Sequence, residues 1–449
     1  MKKIFLLLFL LSVGIQAQYK IKGTLNSSET YTWVILYKIE GTKQIFVKNA
    51  TINSLSNSTV KQFEFELPKE TEIGAYRISY TNDDIEFVDF LFNKEAVSFS
   101  FDPKSAEETI VFTASEENIL YQEYRKKITT AQQKIDSLQL SYLKNPSITT
   151  AKLYLSQTKE IALLQKAYVQ KGTGKLAQNF IIASYKYNSP KIAKTPQEYL
   201  SAIIQHYFDV IDLNNPVLYN SAFLINRVTD YVFYMNYSED VETQKNLYQK
   251  SVATVLEQIK NISFKTDILE YLITQFVNFK NVTFVDYLFE TYYDTLPKNS
   301  QNIDFKKRAL EKISVEIGRI APEITWTENK KNYKLSTINE VRNYVLIFWS
   351  TTCFHCLKEI PELNAFTQDK KHTKVIAFGM EEHEKGWKKH ILKLKGWHHI
   401  LGLGKWENPT ASAYQIYSTP TYIVLDSSKR IIAKPETLEE LKKIIRYLE

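Results

Sequence analysis

From Tyr19 to about Pro103, apolar residues recur at every second position, as in Tyr19/Ile21, Trp33/Ile35/Tyr37, Phe63/Phe65/Leu67, Tyr76/Ile78/Tyr80 and Val97/Phe99/Phe101. Polar turn clusters such as Asn26-Ser27-Ser28 and Thr81-Asn82-Asp83-Asp84 separate these runs. A period of two with short strands and frequent turns predicts a β-sandwich or small barrel. From Ser115 to about Ile320 the period changes to 3.6, which predicts roughly eight or nine helical segments. Thr195-Pro196-Gln197-Glu198 supplies an N-cap, a proline at the first helical position and a capping-box glutamate, and Asn215-Pro216 opens another helix. Ser115–Gln170, interrupted near Asn145-Pro146, reads as a long antiparallel helical hairpin.

Past Ala321-Pro322, strands and helices alternate. Strands are expected at Tyr344–Trp349, Lys374–Gly379, His399–Leu403, Thr421–Leu425 and Arg430–Ala433. Helices are expected from Cys353 to about Thr367, over Glu382–Lys393 and Pro409–Ile416, and from Thr437 onward. The chain thus reads as a multidomain α+β protein. A β-sandwich-like domain spans 18–110, an all-α domain 115–320 and an α/β domain 321–449.

Ahead of these lies Met1-Lys2-Lys3, a Leu/Phe/Ile run over Ile4–Leu11, and Ser12–Ala17 ending in a small residue. That arrangement reads as a signal peptide cleaved after Ala17, and the apolar run is too short to span a membrane. No cysteine follows the run, which speaks against a lipid-anchored form, and no later segment is long and apolar enough to cross a bilayer. A periplasmic or otherwise extracytoplasmic location is the expectation.

Composition narrows the function. The chain is 449 residues long, 44% hydrophobic and 24% charged, with 12 Gly and 12 Pro, so each part can bury its own core and none is collagen-like or disordered. The formal charge is +7, and loss of Lys2 and Lys3 with the leader leaves +5. Lysine-rich stretches alternate with acids and form solvated faces, which argues against a nucleic-acid partner. Exported proteins commonly carry several cysteines at long spacing. Here there are two, Cys353 and Cys356, three positions apart. A single close pair suits a redox dithiol.

The pair follows a buried strand and opens a helix. There Cys353 meets unpaired N–H groups and the positive end of the helix dipole, which favour a thiolate. Cys356, one turn on, can resolve a mixed disulfide. Pro361 can bend the helix. A cis peptide at Thr419-Pro420 can hold the backbone of Thr419 beside the dithiol to pair with a substrate.

With these residues in place, positions 321–449 resemble the TlpA/ResA-type periplasmic members of the thioredoxin superfamily. The matching pieces are Ala321-Pro322-Glu323-Ile324, Phe348-Trp349, Cys353 to Cys356, Glu359-Ile360-Pro361, Thr419-Pro420 and Asp426. The β-then-helical leader resembles a DUF4369-like architecture. The resemblance implies a C-terminal thioredoxin fold and a thiol–disulfide oxidoreductase whose only redox group is the Cys353–Cys356 disulfide, with no cofactor. It implies Cys353 as nucleophile, Cys356 as resolving thiol and Glu359 as proton acceptor. Trp349, Phe354, His355, Thr419 and Pro420 would modulate the dithiol or contact substrate. Partners would be protein thiols and disulfides, with electrons from a membrane donor such as a DsbD/CcdA-like protein.

There are three departures. Ile347 stands where thioredoxins proper carry a buried acid, Thr352 replaces the usual Trp, and His355 precedes Cys356. Disulfide-introducing oxidases of the DsbA type also carry that histidine, and an imidazolium near Cys353 would make the disulfide more oxidising. The expected direction is reductive, with oxidation or isomerisation as the alternative. A non-catalytic envelope binding protein on a thioredoxin scaffold is the competing reading from another class.

Six of seven histidines fall in 321–449, and His383/His390 or His398-His399 could be imagined as metal ligands, but surface histidines among lysines explain them and no metal is expected. The aromatic runs Tyr231–Tyr234 and Tyr292-Tyr293 read as packing. Triplets such as Asn57-Ser58-Thr59 carry little weight in a chain this rich in Asn.

Overall fold

The alternating N-terminal segments form two facing sheets. Their strands are β1 (Tyr19–Asn26), β2 (Trp33–Glu40), β3 (Lys43–Thr51), β4 (Asn53–Ser54), β5 (Val60–Leu67), β6 (Gly74–Ser79), β7 (Phe87–Phe92), β8 (Val97–Phe101) and β9 (Val111–Ala114). One sheet runs β4-β5-β1-β8-β9 and the other β3-β2-β6-β7. A computed structural model describes residues 18–54, 59–81 and 86–449. The expected leader and its cleavage after Ala17 therefore lie outside the described residues, as do Asn57-Ser58 and Asn82–Asp84. The chain divides into two compact units, Met1–Ile268 and Leu269–Glu449.

In the first unit, Ile21, Phe63, Phe65 and Phe99 from one sheet share a core with Leu36, Tyr76, Phe90 and Phe92 from the other. Strand β5 shows the cause: its residues alternate between core and solvent along the whole strand. Gly23 sits opposite Phe63 across the β1–β5 ladder, and a side chain there would overlap the Phe63 ring. Strand β3 departs from the alternation and strand β9 lies beyond the expected boundary. In β3 the run Ile45-Phe46-Val47 is largely exposed at the sheet edge, and β9 extends its sheet past position 110.

Helices Glu116–Lys144 and Ile148–Lys171 pack as the expected hairpin, capped by Ser115 and Ser147, which accept from the N–H groups of Asn118 and Thr150. Asn118 also makes two bonds to the backbone of Leu91, pinning the first helical turn to β7. Thr195 caps Pro196–Gln205, while Glu198 reaches back to the N–H of Lys194, one residue before the capping-box position.

The second unit opens with helical segments and continues into a five-stranded sheet. A short hairpin, β10 (Thr325–Glu328) and β11 (Lys331–Lys334), precedes β12 (Asn343–Trp349). Then come β13 (Thr373–Glu381), β14 (His398–Leu403), β15 (Thr421–Leu425) and β16 (Ile431–Ala433). The order is β14-β13-β12-β15-β16, with β12 parallel to β13 and antiparallel to β15.

Every residue of the central strand β12 is buried. Tyr344, Leu346 and Phe348 enter one core with Trp326 and Tyr414. Val345, Ile347 and Trp349 enter the other, beneath helices Phe354–Thr367 and Leu438–Leu448. Covering on both faces explains the uninterrupted apolar run.

Candidate functional site

Strand β12 ends at Trp349, the loop Ser350–Thr352 follows, and Cys353 is the N-cap of the helix Phe354–Thr367. Its Sγ accepts from the N–H of Cys356 at 3.2 Å, the role a Ser or Asp oxygen plays at ordinary helix starts. The loop is held tightly. Cys353 N–H donates to Ser350 O at 3.2 Å, and Thr352 N–H donates to Ser350 Oγ at 3.2 Å. The Glu381 carboxylate, buried at the end of β13, accepts from Thr351 N–H at 2.6 Å and from Thr351 Oγ at 2.9 Å.

The two thiols are free and unequal. Cys353 is partly exposed, whereas Cys356 has no solvent-accessible surface. Burial alone would raise the Cys353 pKa, but donation from the Cys356 thiol and N–H, the side chain of Thr419 and the N–H of His355 together hold it below the ordinary cysteine value. Burial pushes Cys356 well up, and the neighbouring Cys353 sulfur adds to the shift. The two thiols are thus shifted in opposite directions, Cys353 toward the thiolate and Cys356 toward the protonated form.

The Thr419–Pro420 peptide is cis, and Thr419 O lies 3.3 Å from Cys353 Sγ, accepting from the thiol. Glu359, three residues beyond Cys356 and so nearly one helical turn on, is half-buried, and its Oε2 accepts from the Tyr422 hydroxyl at 2.6 Å. Tyr422 is almost fully buried on β15, directly across the ladder from Ile347, the position where an acid was absent.

The remaining expected residues divide by depth. Trp349 is buried in the same core as Cys356, with its indole N–H unpartnered. Phe354 is 78% exposed. The exposed His355 ring stands edge-on to the Phe354 ring at 5.8 Å, and it is the backbone N–H of His355 that acts on Cys353. Pro361 lies within the helix.

Among the described residues no group of three or more His, Cys, Asp or Glu is placed to hold a metal ion. His398 is buried between two carboxylates, with Nδ1 2.7 Å from Glu328 and Nε2 3.3 Å from Glu340, and His399 Nε2 meets Leu394 O at 2.7 Å.

Sequence reasoning missed Glu381 and Tyr422. An acid ending an otherwise apolar strand, and a tyrosine in register with Ile347 on the next strand, were the signals available.

Residues 342–431 match the family model described as thioredoxin-like. This part of the chain is a thioredoxin-like domain. No curated protein matches the chain. Among solved structures it is similar to the thioredoxin domain of a thiol-disulfide oxidoreductase from Bacteroides vulgatus, 26% identical over 30% of this chain and 100% of that one, with a TM-score of 0.27. A thiol:disulfide interchange protein from Bacteroides sp. is 25% identical over 30% of this chain and 90% of its own, with a TM-score of 0.27. A thioredoxin-like protein from Bacteroides caccae is 16% identical over 59% of this chain and 98% of its own, with a TM-score of 0.28. At these TM-scores the likenesses add nothing to what the sheet order and the match at 342–431 carry.

Proposed function

We propose that the protein is an extracytoplasmic thiol–disulfide oxidoreductase of the TlpA/ResA type that acts on protein disulfides, in the reductive direction. The observation that carries this reading is the pairing of a nucleophile-primed Cys353 at a helix N-cap with a buried, protonated Cys356, beside the backbone of Thr419.

The Cys353 thiolate attacks one sulfur of a substrate disulfide, forming a mixed disulfide and releasing the other substrate sulfur as a thiolate. Cys356 then loses its proton to Glu359, and its thiolate attacks Cys353 Sγ. The Cys353–Cys356 disulfide forms and the second substrate thiolate leaves, so the substrate gains the two electrons the dithiol loses. A membrane thiol donor of the DsbD/CcdA kind restores the dithiol. Thr419 offers a backbone carbonyl to an extended substrate segment, and exposed Phe354 offers it an apolar contact. Among the described residues no helix is long and apolar enough to cross a membrane.

The test is the reduction potential of the dithiol together with trapping by Cys356→Ala. A potential near about −270 mV supports the reductive direction, and one near about −120 mV replaces it with oxidation. Absence of exchange with glutathione would sink the enzyme reading in favour of a binding protein on this scaffold. If Cys356→Ala accumulates no mixed disulfide, the resolving role of Cys356 is wrong.

A further inference from the structure

We infer that Tyr422 is a positioning residue for the resolving step: its hydroxyl fixes the Glu359 carboxylate on the buried side of the dithiol, doing from β15 what a buried acid on β12 would otherwise do. The inference rests on Glu359 being the acceptor of the Cys356 proton.

The geometry is specific. Tyr422 and Ile347 are cross-strand partners, so the phenol leaves the sheet on the face that holds Cys356, where all three belong to one buried cluster. An acid at 347 would have been sealed there. Instead an apolar Ile347 fills the space, and the adjacent strand sends in a neutral hydroxyl whose proton goes to Glu359 Oε2 at 2.6 Å. A half-buried carboxylate on a helix surface has several rotamers, and one short bond from a rigid aromatic selects among them. A donor hydrogen bond favours the ionised form of a carboxylate over its protonated form.

Burial and the neighbouring carboxylate hold the phenolic proton in place far above neutral pH, so Tyr422 stays a donor throughout the working range. The titratable groups facing the pair are the two thiols of the first helical turn. On the next turn Glu362 is engaged by Lys442 from the helix Leu438–Leu448.

The proton balance of the step is simple. Cys356 S–H loses its proton to Glu359, the new thiolate forms the Cys353–Cys356 bond, and the leaving thiolate departs from Cys353. Tyr422 neither gains nor loses a proton overall.

The experiment uses the full chain and oxidised glutathione. Attack by Cys353 releases one glutathione, and attack by Cys356 releases the second, so the second release followed across pH reads the resolving step. Glu359→Gln is expected to slow it about a hundredfold and to remove its acid limb. Tyr422→Phe is expected to slow it about tenfold at neutral pH, to shift the acid limb to higher pH, and to leave the first release unchanged. In the double variant Tyr422→Phe should add nothing to Glu359→Gln.

Replacing Tyr422 with 3-fluorotyrosine, a stronger donor of nearly the same shape, should shift the limb to lower pH. That variant decides the matter if Tyr422→Phe does not fold. A Tyr422→Phe or fluorotyrosine protein with the wild-type profile, beside a Glu359→Gln protein that is altered, overturns the inference and leaves Glu359 in its role. A Glu359→Gln protein with the wild-type profile overturns the role of Glu359 and the inference with it.

Discussion

The two sheet systems of this chain bury apolar surface by opposite rules. In the N-terminal sandwich a strand such as β5 gives one face to the core, so it alternates residue by residue and its polar positions remain in water. In the thioredoxin-like sheet β12 is buried on both sides, and its residues are dealt alternately into two separate cores.

The difference decides where chemistry can sit. Both faces of a sandwich strand are committed, one to core and one to solvent, and tight turns join its ends. In the mixed thioredoxin-like sheet the parallel strands run into helices, and each strand-to-helix junction presents unpaired N–H groups at one edge. Cys353 occupies such a junction.

The sharpest break of this comparison is in the thiols. Iodoacetamide should alkylate Cys353 at neutral pH more than about a hundredfold faster than Cys356. Its rate should fall as pH drops through the lowered Cys353 pKa, because the thiolate is the reacting form. Comparable labelling of both thiols would mean that the asymmetry is absent in solution.

Next, Phe99→Ala in the sandwich core should cost about 3–5 kcal/mol, read as urea unfolding of that unit, while glutathione exchange at Cys353 changes less than about twofold. A large loss of exchange would show that the sandwich reaches into the chemistry.

The smallest effect is expected from Glu381→Ala. It leaves the N–H of Thr351 without its partner, costing about 1–3 kcal/mol. Alkylation of Cys353 should slow severalfold as the loop before it loosens. An unchanged alkylation rate would reduce Glu381 to a purely structural group.

The legible parts of this architecture are those written locally. Tyr344–Trp349 could be read as a buried strand because six apolar residues in a row admit little else, and Thr195-Pro196 could be read as a helix start because capping is a matter of neighbouring residues. The hairpin β10–β11 was hidden because its strands carry Lys331, Asn332 and Lys334 and are largely exposed. Strand β3 was hidden because three adjacent apolar residues do not alternate.

At the site, Cys353, Cys356 and Glu359 lie on a single helix and were visible together. The contacts that tune them were not. Thr351 meets Glu381 across 30 positions, and Glu359 meets Tyr422 across 63. Only the strand order β13-β12-β15 brings these pairs together, and no local pattern encodes that order.

The inaccessibility of Cys356 has a consequence for how the site can be used. An incoming chain can reach only one of the two sulfurs, so on the proposed mechanism every exchange enters and leaves through Cys353. The mixed disulfide then sits on the same sulfur whichever way the electrons run, and reversing the flow calls for a change of partner rather than a second binding face. Selectivity is imposed once, at a single doorway, and donor and acceptor must take turns there.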